Sequence, residues 1–156
     1  MPMSIEQRLT ELGITLPSAA APLANYVPFV REGSLIFVSG QVPRGEDGQL
    51  KYVGKVGQAL SVEDGYAAAR LCALNCLAQL QAAVGSLDKV KRILRVGGFV
   101  NCTDGFTQQP QVINGASDLI VEVFGDKGRH ARAAVGNNSL PGNVATEVEL
   151  VAAVEG

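Results

Sequence analysis

One long helical pattern between Ser61 and Gly85 constrains the fold of this chain more than any other segment. Small and apolar residues recur there at intervals of three and four, namely Ala69, Ala73, Cys76, Leu77, Leu80 and Val84. This spacing is typical of a helix that buries one face. Ser61 precedes Glu63 and Asp64, so a hydroxyl N-cap leads a first turn of carboxylates, which the helix dipole favours. The alanines let such a helix lie close against a sheet.

The flanking segments supply strands and two further helices. The predicted elements, in chain order, are a helix at Ser4–Leu12, strands at Tyr26–Arg31, Ser34–Ser39 and, more weakly, Leu50–Val56, a strand at Val90–Cys102, a helix at Pro110–Phe124, and strands at Arg129–Val135 and Val144–Val154. Glu32-Gly33 has the spacing of a two-residue hairpin turn. The last two strands are predicted to form a pair, and Pro17 to Leu23 is predicted to be a connector.

This order of elements predicts an α+β domain in which both long helices cover one face of a single sheet. The 156 residues fit one domain over 1–156, with the N-terminal helix at about 4–13 as an extension. The other face of the sheet must then be solvated or buried against another subunit. Its apolar positions favour oligomerisation.

Composition argues against several classes of protein. Lysine and arginine number 13 against 15 acidic residues, and the net charge of −2 lacks the basic excess of nucleic-acid-binding proteins. No stretch reaches the roughly 18 uninterrupted apolar residues of a membrane span, and residues 1–13 lack the apolar core of a signal peptide. The three cysteines show no CxxC spacing, which indicates a reducing compartment, so we expect a cytoplasmic protein.

Few residues suit metal or phosphate chemistry. Cys72 and Cys76, four residues apart in the long helical pattern, are interpreted as small core side chains rather than redox or metal groups. His130 is the single histidine, which gives little support to a zinc site or a Ser-His-Asp triad. The glycine-rich phosphate loops and the HExxH metal motif are missing. We therefore predict no metal site.

Two charged positions are candidates for chemistry. Glu147 and Glu149 share one side of the last predicted strand; the pattern alone favours a polar surface, while the alternative is a carboxylate that orients a water or a substrate proton. Arg132 is flanked by alanines in the preceding strand, and its planar fork can hold a carboxylate through two parallel hydrogen bonds. A surface arginine, or an ion pair with Glu147 or Glu149 across the ladder, remains an equal interpretation.

Three further positions allow two interpretations each. Gly40 closes a strand, where glycine permits either a turn or the close approach of a ligand. Tyr26 begins the first strand and is compatible with simple packing. Asn114-Gly115 lies inside a predicted helix, where the glycine costs up to ~1 kcal/mol. Either close packing or a ligand contact must offset that cost.

Taken in order, these residues resemble the RidA/YjgF family, also called L-PSP or reactive-intermediate deaminases. The resemblance covers about Ala24 to Val154 and rests on Leu35-Ile36-Phe37-Val38-Ser39-Gly40-Gln41-Val42-Pro43, Phe99-Val100, Ala131-Arg132, Leu140-Pro141 and Glu147-Val148-Glu149. It implies a chorismate-mutase-like fold with a mixed sheet. It also implies a homotrimer whose sites lie in clefts between subunits.

The same resemblance implies an activity: hydrolysis of reactive enamines and imines, such as 2-aminoacrylate and 2-imino acids, to 2-oxo acids and ammonia. No cofactor is required. Arg132 matches the carboxylate-binding arginine, and Glu147 matches the water-orienting glutamate. The substrate-binding positions implied by the resemblance are Tyr26, Gly40, Asn114 and Ala134. Ala134 departs from the best-known members, which have a cysteine there, although its backbone groups remain available to a substrate.

Two alternatives remain open. The first is a non-catalytic trimer that uses the same arginine to bind a small 2-oxo carboxylate. The second is an endoribonuclease, because some relatives carry that label. The net charge of −2, with three tyrosines and no tryptophan, gives a poor inventory for binding phosphates and stacking bases.

Overall fold

The computed structural model describes residues 2–21 and 25–156, so Pro22 and Leu23, at the end of the predicted connector, lie outside the described residues. The strands are β1 (Phe29–Glu32), β2 (Leu35–Gln41), β3 (Val90–Asn101), β4 (Ala131–Asn137) and β5 (Thr146–Val154). The helices are α1 (Ile5–Glu11), α2 (Val62–Val84) and α3 (Gln109–Phe124). The strands form one mixed sheet in the order β1-β2-β5-β3-β4, in which the pair β3 and β4 is parallel and the other neighbours are antiparallel.

Helix α2 begins and ends where its sequence predicts. The Ser61 hydroxyl accepts from the Asp64 N–H at 3.1 Å, and the Asp64 carboxylate accepts from the Ser61 N–H at 3.0 Å. This reciprocal capping box satisfies two backbone donors of the first turn. At the other end, Gly85 adopts a φ of 85°, a conformation that favours glycine and ends the helix.

Both long helices pack on the same face of the sheet, as predicted. Alternate residues of β5 are buried beneath them, namely Thr146, Val148, Leu150, Ala152 and Val154. By length and composition alone, helix α2 could cross a membrane. However, 61% of its apolar 18-residue stretch is buried inside the structure. Helix α2 packs against both the sheet and α3, as a core helix does.

The helix cysteines are part of this core. The Cys72 Sγ lies 3.3 Å from the Thr146 Oγ1, and the Cys76 Sγ donates to the Val148 carbonyl at 3.3 Å. Burial raises the pKa of Cys72 to about 12 and the pKa of Cys76 well above its usual value. Both thiols therefore stay protonated, which confirms their interpretation as small core side chains.

Close packing explains the glycine in the middle of α3. A Cβ added to Gly115 would lie 2.8 Å from the carbonyl carbon of Tyr66, and backbone on α2 cannot move aside as a flexible side chain can. Glycine at this position is thus the condition for the close approach of α2 and α3. The contact between the helices offsets the poor helix propensity of Gly115.

The hairpin turn is shifted by one residue from the predicted Glu32-Gly33. Glu32 pairs with Leu35, so Gly33 and Ser34 form the turn, and Gly33 supplies a φ of 61°. Strand β1 starts at Phe29, and Tyr26 precedes it instead of beginning it. The turn therefore takes the position where the glycine meets the backbone requirement.

The weak strand predicted at 50–56 is wrong. The segment makes only single bridges among the described residues, such as Val53 to Val144 and Val56 to Cys102. Tyr52 and Gly54 have φ values of 53° and 135°. Backbone with positive φ cannot continue an extended strand, and the apolar pattern does not reveal this.

The predicted pairing of the last two strands is also wrong. Strand β3 lies between β4 and β5. Because α3 carries the chain from β3 back to a parallel neighbour, β4 takes the outer edge of β3, and β5 pairs with the inner edge. A cross-ladder ion pair from Arg132 to Glu147 or Glu149 is therefore excluded.

We expect Gly115→Ala to lower the free energy of unfolding by about 2 kcal/mol, because the added methyl group forces α2 and α3 apart. In an unconstrained helix the same change would stabilise. Denaturant unfolding measures the difference, with Gln111→Ala on the exposed part of α3 as the control. A Gly115→Ala protein as stable as the wild type would show that the helices do not touch there.

Candidate functional site

Glu147 lies on the face of the sheet that the helices leave open. It is half-buried, whereas Glu149, two residues along the same face, is exposed. Desolvation raises the pKa of Glu147, and the Glu149 charge acts in the same direction. A carboxylate that is held partly out of water in this way is a better proton acceptor than an exposed one.

Gly40 makes room for that carboxylate. The register between β2 and β5 shifts between Val38 and Gln41, where the end of β2 passes beside Glu147. A Cβ added to Gly40 would clash with the Glu147 carboxylate, lying 3.0 Å from its Cδ. Gly40 therefore permits the close approach of the Glu147 side chain to the backbone of β2.

A cleft of about 800 Å³ opens at this position. Its lining includes Tyr26, Gly40 and Glu147, together with Arg44 and Pro141. Three of the sequence-predicted site residues thus meet at one cleft. The volume suits a small molecule.

Arg132 points to the opposite face of the sheet. It pairs with Val96, which in turn pairs with the buried Leu150, so these three side chains share the helix-covered face. The guanidinium donates from Nη1 to the Ser117 Oγ at 3.1 Å and from Nη2 to the Pro110 carbonyl at 3.3 Å. Helix α3 therefore holds Arg132 at the edge strand.

A second depression, of about 500 Å³, surrounds this arginine. Asn114 and Ser117 line it from α3, and His130 and Arg132 line it from the β4 side. The Ser117 Oγ lies 2.9 Å from the His130 Nε2. Burial lowers the pKa of His130, and the positive charge of Arg132 lowers it further. A hydrogen bond with the Gly128 carbonyl raises the pKa but does not reverse the shift. His130 is therefore neutral at pH 7.

Within one subunit the predicted site residues form two groups. Arg132 and Asn114 lie together, whereas Tyr26, Gly40 and Glu147 lie at the first cleft. Strand spacing places the Cα atoms of Arg132 and Glu147 about 14 Å apart, on opposite faces. A three-carbon acid cannot bridge that distance.

The remaining predicted position, Ala134, lies on the helix-covered face with Arg132 and packs partly buried against the core. Two residues that the sequence analysis did not select stand beside Arg132, namely Ser117 and His130. The sequence spacing of both residues indicates their position beside the predicted site residues. Ser117 follows Asn114 by three residues on one helix, and His130 precedes Arg132 by two residues along the strand direction.

Metal ligation finds no support in the part of the chain that the structure describes. There, no group of three or more His, Cys, Asp or Glu side chains could hold a metal ion. Glu147 supplies a partly desolvated carboxylate at the first cleft, and Arg132 supplies a guanidinium at the second depression.

Comparison with known protein families matches residues 6–154 to one family, described as "YjgF/chorismate mutase-like, putative endoribonuclease". The match takes in both depressions, all five strands and the long helices. It leaves out the first five residues and the last two.

Individual proteins match over almost the whole chain. Protein TCP17 of Trypanosoma cruzi is 50% identical over 148 residues, which cover 94% of this chain and 92% of that protein. The crystal structure of Atu1372, of unknown function, from Agrobacterium tumefaciens is 49% identical with a TM-score of 0.90, covering 97% of this chain and 92% of that one. A "putative endoribonuclease" from Shewanella oneidensis is 41% identical with a TM-score of 0.94, covering 97% and 100%.

We expect Glu147→Gln to stabilise the protein at pH 7. Folding raises the pKa of Glu147, so the charged carboxylate opposes folding once the pH rises through its folded-state pKa. Below about pH 4 the glutamate of the wild type and the glutamine of the variant are both neutral, and the two proteins should be equally stable. Denaturant unfolding of both proteins between pH 4 and pH 8 measures a gap that opens with pH. Glu46→Gln, in an exposed loop, is the control, and a gap that stays constant with pH would contradict the desolvation of Glu147.

Proposed function

The chain belongs to the YjgF/chorismate mutase-like family, and on that basis we propose that it hydrolyses 2-aminoacrylate and related 2-imino acids to 2-oxo acids and ammonia. 2-Aminoacrylate is an enamine, and it first becomes the imine when a proton moves from its nitrogen to its terminal carbon. The water oxygen then bonds to the imine carbon, and the carbon–nitrogen bond breaks. The nitrogen leaves as ammonia with the protons of the water, so no oxidant or reductant takes part. The observation that carries the proposal is the half-buried Glu147 carboxylate at the 800 Å³ cleft.

Glu147 orients the attacking water and accepts its proton. Its raised pKa brings the carboxylate closer to the working pH, where a general base is most effective. Gly40 keeps the space around the carboxylate free of a side chain. Because a protonated imine is already electrophilic, the protein needs to supply mainly a positioned water.

Arg132 binds the substrate carboxylate. A guanidinium has five N–H donors, and two of them are used by Ser117 and Pro110. Three donors remain, and a bidentate carboxylate needs two. Among the described residues no carboxylate forms a salt bridge with Arg132, so its charge is available to a ligand.

A homotrimer would bring Arg132 of one subunit to Glu147 of the next. Arg132 lies on the edge strand β4, where a second copy can approach. The open face of the sheet carries Phe37 and Val135, which are 46% and 45% exposed, beside the half-buried Phe99 and Val151. Burying such side chains against another copy is favourable. We also propose a cytoplasmic location, in which the three free cysteines stay reduced.

The activity test generates 2-aminoacrylate with a pyridoxal-phosphate dehydratase and follows formation of the 2-oxo acid. We expect the wild-type protein to accelerate this step, and both Arg132→Ala and Glu147→Gln to lower kcat/KM by about 100-fold or more. Arg92→Ala, an exposed arginine on β3, is the matched control and should retain activity.

The outcome also separates the other candidate functions. A wild-type protein that does not exceed the spontaneous rate would refute the deaminase proposal. Stabilisation by pyruvate without turnover would indicate a metabolite-binding protein instead. The names of the family and of the Shewanella relative raise RNA cleavage as a second candidate. Cleavage of single-stranded RNA that Glu147→Gln abolishes would favour it.

Mixing two inactive variants tests the shared site. If Arg132 and Glu147 act from neighbouring subunits, every trimer that contains both Arg132→Ala and Glu147→Gln chains has one intact site in three, so the isolated mixed trimers should show about one third of wild-type activity. Co-expression with two purification tags isolates the mixed trimers, and light scattering gives their mass. A site contained in one subunit would leave the mixture inactive.

A further inference from the structure

A chain of hydrogen bonds leads from the Gly128 carbonyl to the Arg132 guanidinium. The His130 Nδ1 meets the Gly128 carbonyl, and the His130 Nε2 lies 2.9 Å from the Ser117 Oγ. The same Ser117 oxygen accepts from the Arg132 Nη1 at 3.1 Å. Three elements, the turn after α3, the helix itself and the β4 side of the sheet, thus meet at one arginine.

The proton positions along this chain follow from the chemistry of its two ends. A carbonyl oxygen only accepts, so the His130 Nδ1 carries the hydrogen. The imidazole is neutral because burial and the Arg132 charge lower the pKa of His130, and its Nε2 is therefore an acceptor. The Ser117 hydroxyl donates to that Nε2, and a lone pair of its oxygen faces Arg132, which only donates.

This arrangement holds the guanidinium at two of its nitrogens. Ser117 accepts from Nη1 and the Pro110 carbonyl accepts from Nη2, both on α3. The charged side chains near Arg132 have other partners. The Asp118 carboxylate accepts a hydrogen bond from the Tyr66 hydroxyl at 2.7 Å. The Arg129 Nε lies 3.4 Å from the Asp126 Oδ1. An arginine held in advance loses little rotamer freedom when a ligand binds.

We infer that Ser117 and His130 are positioning residues, which set the Arg132 guanidinium in the orientation that receives a small carboxylate. For the identity of the ligand this inference rests on the proposed function. The hydrogen-bond chain itself depends only on the geometry of the ligand-free protein. Neither residue needs to touch the substrate, because both act through Arg132.

The histidine tautomer is the first test. His130 is the only histidine, so the long-range ¹H–¹⁵N spectrum of a labelled sample gives one set of ring nitrogens without an assignment problem. We expect a protonated Nδ1 and an unprotonated Nε2 at pH 7.5. A ring protonated at Nε2 would overturn the inference, whatever the enzyme activity.

Ligand binding is the second test, with pyruvate as the probe and calorimetry as the measurement. We expect Ser117→Ala to weaken pyruvate binding roughly tenfold, since it removes a hydrogen bond to a charged group. Ser117→Thr, which keeps the hydroxyl, should stay within about twofold, as should Ser139→Ala at an exposed site. In turnover, the Ser117→Ala defect should appear in KM more than in kcat.

A matched pair at His130 separates positioning from packing. Glutamine places an amide oxygen near the position of Nε2 and should preserve binding, whereas leucine fills the space without an acceptor and should behave as Ser117→Ala does. Melting temperatures confirm that each variant is folded. Folded Ser117→Ala and His130→Leu proteins with wild-type pyruvate affinity would overturn the inference. If the wild-type protein neither binds pyruvate nor turns over imine, the proposed function fails, and the tautomer decides the positioning role alone.

Discussion

The close contact of α2 with the sheet on one side and with α3 on the other is the constraint on which the rest of the structure depends. It requires small side chains along α2 and no side chain at Gly115, because backbone meets backbone there. With both long helices on one face, the opposite face of the sheet is left without cover from the described residues. Phe37, Val135 and Glu147 are therefore presented on the surface that we propose binds a second copy.

The same topology separates the two charges that the proposed chemistry needs. Glu147 gains basicity from partial desolvation on the open face, whereas Arg132 is held by α3 at the edge of the other face. A single subunit with both groups side by side would form an ion pair, which would lower the pKa of the glutamate and occupy the arginine. Among the described residues neither group forms such an ion pair, so both remain available to a ligand.

Much of this architecture is readable from local sequence signals. The hydroxyl N-cap at Ser61, the apolar spacing of α2 and the alternation in β5 all predict elements that the structure contains. Two of the errors have a common cause. Tyr52, with its positive φ, sits in an apolar segment that looks extended, and the hairpin turn moves by one residue to use Gly33. Backbone conformation at single residues leaves little trace in a hydrophobic pattern.

The amino-acid sequence by itself determined the α+β class, the helix boundaries, the core cysteines and a set of candidate residues, because each depends on periodicity, capping and residue chemistry over a few neighbouring positions. Only the tertiary structure decided that β3 separates β4 from β5, that Arg132 and Glu147 face opposite ways, and that Ser117 and His130 reach the arginine. These features join residues from different elements. Their positions follow from the path of the chain through α3 and from strand register, which local patterns do not encode.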